Sequence, residues 1–204
     1  PYLAQEFYLE YGDFDYFVTV PSDMIVAGTG ELVNPQEVLT AQQRERLAKA
    51  RLSDATVMIR TPQEVADPAS RPKQGGTLTW HFHMADTRDV AFSASADYAW
   101  DAARINLPAG KSALAMSVYP PGAAGPDGWA RSTEYLKDAI ENFSRRWYPF
   151  PWPVAVNVGV FVGALVDVLI AVAVVVGLVV RAGIGVRVGI GVRVGGFVRT
   201  IVLG

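Results

Sequence analysis

His81-Phe82-His83 sets two imidazoles two residues apart. Side chains alternate between the faces of a strand, so both rings share one side and could ligate one metal ion. A zinc site needs three or four ligands in all. The chain has two histidines and no cysteine, and nothing in the sequence marks carboxylates that would complete the set. The pair therefore reads as polar strand positions, and no residue is assigned as a metal ligand. Lacking cysteine, the chain also has no disulfide scaffold, thiolate metal site or cysteine nucleophile.

Ile105 to Ser112, "INLPAGKS", ends like a phosphate-binding loop. Such a loop needs glycine five residues before the Gly110-Lys111-Ser112 triplet, because the backbone must wrap the phosphates. Ile105 stands there instead, and Pro108 removes an N–H donor, so the stretch predicts a hairpin turn. Asn142-Phe143-Ser144 is a glycosylation sequon inside a helical pattern and reads as silent. No G-x-S-x-G elbow positions a serine nucleophile. Asp86, Asp89, Asp97 and Asp101 lie near expected strand ends and read as solvated turn acids. No catalytic or cofactor-binding residue is assigned.

The elements that would carry these residues are mostly strands. From Glu6 to Val33, period two places Phe7, Leu9 and Tyr11 on one face, and Phe14, Tyr16, Val18 and Val20 on another after Gly12-Asp13. Tight turns at Gly-Asp and Pro-Ser-Asp join these strands. A helix is expected over 34–54, with Thr40 and Gln43 as a capping box. "ATVMIR" is a short strand, and the three prolines and glycine pair of 61–76 mark a loop. In "TLTWHFHM", Leu78, Trp80, Phe82 and Met84 face one way and Thr77, Thr79, His81 and His83 the other. "SALAMSVYPP" is a further strand. The strongest helical pattern follows, with Asp127 at the N-cap position. Leu136, Ile140, Phe143 and Trp147 form its apolar stripe and Lys137, Asp138, Glu141 and Arg145 its exposed side. "PVAVNV" begins another strand.

The formal net charge is −2. Four arginines against Asp167 alone make the end beyond Asn157 basic, and the body before it is mildly acidic. That body carries no electrostatic footprint for nucleic acid, and none is expected as a partner. The first residue is proline, with no basic and apolar leader after it, so the chain reads as an internal piece or a processed form, and a first strand already under way at residue 5 favours the internal piece. Compartment is left open.

Several long stretches, in order across about residues 5–157, resemble one family. They are "QEFYLEYGDFDYFVTVPSDMIVAGTGELVNPQEVL", "TLTWHFHMADTRDVAFSAS" with "ADYAWDAA" after it, and "WARSTEYLKDAIENFSRRWYPFPWPVAVNV". Gly12-Asp13-Phe14-Asp15, "PSDMIVAGTG" and "RDVAFSAS" are the most telling parts. They resemble the zinc metallo-aminopeptidases of the membrane alanyl aminopeptidase and leukotriene hydrolase family. The resemblance implies an α+β fold. Residues 1–124 would be the end of an antiparallel β-rich domain, and 125–157 the first helix and strand of a mixed α/β catalytic domain. It also implies a parent of bacterial type that uses zinc to remove N-terminal residues from peptide substrates. In that family a Gly-x-Met-Glu-Asn-like loop holds the substrate's N-terminus, and an H-E-x-x-H helix with a later Glu binds zinc and activates water. This chain has neither motif, so no catalytic or zinc-binding position carries over, and zinc is expected only in the parent.

Beyond Asn157 only nine residue types occur. Residues 158–204 form an apolar Val/Gly/Arg tail, and its 160–180 run, with Asp167 the single charge, is long enough to span a membrane as a helix. Arg181, Arg187, Arg193 and Arg199 then recur every six residues, and "GIGVRV" occurs twice in tandem. Three readings stand beside one another: a membrane anchor with a basic extension, a hexapeptide repeat, and a shifted reading frame in GC-rich DNA. The abrupt loss of residue types favours the third. The chain is thus expected to be an inactive fragment of a zinc aminopeptidase-like protein. The rival expectation is a non-catalytic, membrane-anchored, β-rich binding module.

Overall fold

The computed structural model of the chain describes residues 10–125, 128–159, 187–194 and 197–203. The fold is α+β, as expected. The strand anticipated around residues 5–9, the cap at Asp127 and the apolar run 160–180 lie outside the described residues. Among the described residues, no helix is long and apolar enough to cross a membrane.

Two sheets carry the fold. The first pairs β1 (Gly12–Pro21) with β5 (Thr77–Thr87), and β5 with the two-residue β3 (Glu31–Leu32), all antiparallel. Phe14, Tyr16, Val18 and Val20 of β1 are buried, as are Trp80, Phe82 and Met84 of β5, so the period-two pattern marks the core face of both strands. A short ribbon, β2 (Ile25–Gly28) with β6 (Phe92–Ser95), lies beside them. The turn between β2 and β3 depends on Gly30, whose φ is +96° and whose missing Cβ would stand 2.3 Å from the His83 carbonyl oxygen. Glycine is the residue that tolerates both conditions.

The second sheet runs β4 (Val57–Arg60), β7 (Ala99–Asn106), β8 (Ser112–Tyr119), β9 (Val154–Val158). β8 and β9 are parallel and the other pairs antiparallel. Helix α3 (Ser132–Arg146) makes the β8-to-β9 crossover and lies on the face of β7, β8 and β9. The layers are therefore sheet, sheet, helix. Trp100, Ala102, Leu114, Val118 and Val154 join the main core with the first sheet. Ile105, Leu107, Ala113 and Ala115 form a smaller core under Leu136 and Ile140 of α3. Two more helices, α1 (Pro35–Val38) and α2 (Ala41–Ala50), split the single helix expected there. The capping box starts α2: Thr40 N–H donates to Gln43 Oε1 at 3.1 Å, and Gln43 N–H to Thr40 Oγ1 at 3.2 Å.

The tail adds a hairpin, β10 (Arg187–Val194) and β11 (Phe197–Leu203), to the free edge of β1. Its register sets Val192, Ile190 and Val188 opposite Phe14, Tyr16 and Val18, and Arg193 opposite Asp13. The Val-x-Val alternation inside "GIGVRV" has the period of a strand, which is why this part of the repeat extends a sheet.

One expectation is corrected in α3. Phe143 and Trp147 are not core: they are 49% and 79% exposed, stacked on each other with centroids 5.1 Å apart. The buried residues of the helix are Thr133 and Ser144, with Leu136 and Ile140 half-buried. Lys137 and Glu141, expected at the surface, have side chains only 13% and 12% exposed and pair at 3.0 Å. At about 100° per residue, the sheet-facing direction is rotated by roughly 60° from the centre of the apolar stripe. The cause is polar. Thr133 bonds Asp101 of β7, Ser144 Oγ accepts from Phe150 N–H, and Glu141 accepts from Asn106 N–H. The helix starts at Ser132, after a 3₁₀ turn over Trp129–Arg131 and with no side-chain cap. Phe143→Ala is accordingly expected to change stability by about 0.5 kcal/mol or less, as an exposed substitution does. Leu136→Ala should cost about 2 kcal/mol, the low end for a half-buried leucine. Urea unfolding of the two variants checks the order, and a larger cost at Phe143 would contradict it.

Candidate functional site

The histidine pair sits on the outward face of the first sheet. In the β1–β5 register, Asp15 stands opposite His83, Phe17 opposite His81, and Thr19 opposite Thr79. Asp15 Oδ1 is 2.8 Å from His81 Nε2, and Oδ2 is 3.2 Å from His83 Nδ1. Phe17 stacks on the His81 ring at 4.2 Å, and the two threonine hydroxyls bond at 2.8 Å. The result is a ladder of cross-strand pairs, the unit by which sheets gain stability. Partial burial pushes the Asp15 carboxyl up, but the hydrogen bonds and charges of His81 and His83 outweigh it and hold the group below the ordinary aspartate range.

One carboxylate between two imidazoles can orient both rings and pass a proton from one to the other. His81 Nε2 and His83 Nδ1 are each engaged by a different oxygen of Asp15, so the three groups bond one another in this structure. Among the described residues, no group of three His, Cys, Asp or Glu is placed to hold a metal ion. The side of β5 away from this cluster faces the apolar space between the sheets. Among the described residues, Arg51 is the one charged residue lining that space, beside Trp80, Phe82, Trp100 and Met116, and none of those lining it carries a carboxylate, imidazole or hydroxyl.

The lowered Asp15 carboxyl makes a directional prediction. A group whose folded pKa is depressed contributes stability above its unfolded pKa and loses it as pH falls through the folded value. Wild-type stability should therefore drop on the acid side of about pH 4. Asp15→Asn, which cannot titrate, should show a smaller drop, the difference being modest because the side chain is 46% exposed. Identical acid profiles by urea unfolding would count against the cluster's role.

The remaining sequence candidates resolve one by one. "INLPAGKS" is the β7–β8 hairpin: Leu107 N–H donates to Lys111 O at 2.9 Å, and Ala109 and Gly110 take positive φ. Asn142 of the sequon lies within α3. Asp86, Asp89 and Asp97 are exposed at turns or strand ends, as expected. Asp101 is not. It lies inside β7, 1% exposed, on the face that meets α3. Tyr119 Oη donates to its Oδ2 at 2.5 Å and Thr133 Oγ1 to its Oδ1 at 2.5 Å. Thr133 Oγ1 also lies 2.7 Å from Ser117 Oγ, whose hydrogen it can accept. Burial raises the Asp101 carboxyl above the usual aspartate range, against the lowering effect of its two hydroxyl donors. Burial and the neighbouring Asp101 push the Tyr119 phenol up as well. Its placement escapes the sequence because β7 is buried on both faces and rich in alanine, so it shows no alternation to set the face or length of the strand.

Two buried arginines were also hidden. Arg60 ends β4, and Arg71 comes from the proline-rich loop after it. They are 2% and 6% exposed. Arg60 is held by the carbonyls of Val65, Ala96 and Tyr98 and by Ser70 Oγ. Arg71 is held by the carbonyls of Ser22 and Val38. Nothing in a Pro-Lys-Gln-Gly-Gly loop signals that the arginine before it is core.

No family model, no curated protein and no solved structure matches this chain.

Proposed function

We propose that this chain is a scaffold portion of a zinc-dependent aminopeptidase-like metallopeptidase, whose removal of N-terminal residues from peptides is carried by segments outside these 204 residues. The observation that supports it best is the part of the α3 apolar stripe that the second sheet leaves uncovered. Leu136 and Ile140 of the stripe seal the small core. Phe143 and the C-cap residue Trp147 continue it as an exposed stack, and Tyr148, just past the helix, is 76% exposed. An apolar stripe wider than the one sheet covers suits a position against a further layer, as in a larger α/β domain. The long stretches resembling the aminopeptidase family point the same way.

Within the proposal, the residues of this chain position and do not react. β8, α3 and β9 form a βαβ unit that would hand the chain to the catalytic layers. The Asp15–His81–His83 ladder stiffens the outer face of the first sheet. The encoding DNA tests the reading. Past codon 157, a frame other than the present one should encode a Met-Glu pair and an H-E-x-x-H motif. Absence of both from every frame would count decisively against it.

A further inference from the structure

Strand β9 is the edge of the second sheet on the side away from β4, and among the described residues nothing pairs with its outer side. Its two faces are occupied. Val154, Val156 and Val158 pack on the main core and Ala155 on the small one. The open groups are those of its backbone. Leu114 N–H donates to Pro153 O, and Gly159 N–H donates to Val118 O. In the regular parallel register, the odd-numbered backbone groups of β9 therefore point to β8, and the N–H and C=O of Val154, Val156 and Val158 point outward. Folded proteins blunt such edges with charges, prolines, bulges or very short strands. The register of β4 shifts between Met58 and Arg60, β3 has two residues, and β11 contains Arg199. Val154 to Val158, "VAVNV", has none of these devices.

The flank of α3 on this side is also uncovered. Glu141 accepts from Asn106 N–H at the end of β7, so its side of the helix is turned toward β7. At about 100° per residue, Phe143 lies roughly 160° round the helix from Glu141. It is thus on the β9 side, where Trp147 stacks on it. The strand pattern selects what fits there. An antiparallel copy of β9, related by a twofold axis through Val156, sets Val156 opposite itself, Val154 opposite Val158 and Ala155 opposite Asn157. Valine meets valine on one face, small and neutral residues meet on the other, and no charge on the strand opposes a like charge. The same axis puts both copies of α3 on one face of the joined sheet. With strands about 4.8 Å apart, β8 and its twofold mate are separated by roughly 14 Å. Helices in contact lie about 8–10 Å apart, so the gap needs large side chains, and the Phe143–Trp147 flanks face it.

We infer that β9 and the Phe143–Trp147 flank of α3 form a twofold interface with a second copy of this chain. The inference rests on the proposed function, because a scaffold portion without its further layer leaves this surface to a second copy. Analytical ultracentrifugation of the full chain across a wide range of protein concentration should show a reversible monomer–dimer equilibrium. In the dimer the amides of Val156 and Val158 should exchange more slowly than in the monomer. Those of Ala155 and Asn157, already bonded to β8, should change little. Val156→Pro removes an outward N–H that no bond within one chain uses. Trp147→Lys changes an exposed side chain and sets like charges on the facing flanks. Each should raise the dissociation constant about tenfold or more. A chain that stays monomeric, a dimer that either variant leaves as tight, or open-ended assembly in place of a closed dimer would overturn the interface. The reading-frame test of the proposed function is independent of all three results, so failure of one is told apart from failure of the other.

Discussion

Ile105→Ala should destabilise the chain by about 2–5 kcal/mol, the range for removing a large aliphatic side chain from a tight core. Ile105 is 0% exposed and stands at the centre of the small cluster on which α3 rests. Among the described residues, that cluster has only Leu107, Ala113 and Ala115 as its other buried members, so little can move in to fill the space. The loss should also be local. Amide exchange across 132–146 should accelerate more than exchange in β1 and β5, because those strands belong to the main core with Trp80 and Phe82. Urea unfolding measures the first effect and hydrogen exchange the second. Uniform acceleration over both sheets would show that α3 and its platform are not a separate layer.

Thr133→Val should cost about 1–3 kcal/mol, because it leaves a buried carboxyl with one hydroxyl donor in place of two. Asp101→Asn separates that hydrogen-bond loss from the charge. Its amide still accepts from Thr133, and the Tyr119 hydroxyl can turn to accept from it, with Met58 Sδ 3.9 Å away as a weak outlet for the phenol hydrogen. The sign of the pH effect is opposite to that at Asp15. A carboxyl raised by burial keeps its proton to higher pH in the folded state than in the unfolded chain. Stability is then lost as pH rises from about 4 through the folded value, and the loss is complete above it. Asp101→Asn removes that loss. The variant should therefore gain on the wild type between about pH 4 and neutrality, measured as the difference in urea midpoint at each pH. A constant difference across the range would mean that Asp101 ionises as freely folded as unfolded.

Much of the first sheet can be read from residue order. Over 14–20 of β1 and 78–84 of β5 the even-numbered side chains are large and apolar, while the odd-numbered ones, Phe17 apart, are polar, and one buried face per strand makes the pattern visible. The start of α2 is equally plain, because Thr40 and Gln43 satisfy each other locally. The second sheet is less legible for physical reasons. β7 lies between two cores and has no polar face to reveal its period. The orientation of α3 depends on Asp101 and Asn106, more than thirty residues from their partners, and on Phe150 just past the helix, and these draw Thr133, Glu141 and Ser144 inward past a more obvious apolar stripe. The histidine pair was legible as a shared face. Its partner Asp15 was not, because the β1–β5 register joins residues more than sixty apart in the chain. Arg60 and Arg71 were invisible for a similar reason: apart from Ser70 Oγ, their hydrogen-bond partners are backbone carbonyls, which any sequence supplies.

Under the proposed function, the residues of this chain, Asp15, His81 and His83 included, hold a position and carry no chemistry of their own. Hydrolysis of an alanyl or leucyl p-nitroanilide by the purified chain, at neutral pH with added zinc, tests that most directly. Release of the chromophore should not exceed the rate in buffer, and equilibrium dialysis should find no tight one-to-one zinc, because His81 and His83 are committed to Asp15. Turnover that a chelator abolishes, or stoichiometric zinc lost on His81→Ala, would contradict the account and place a reactive centre on the outer face of β5.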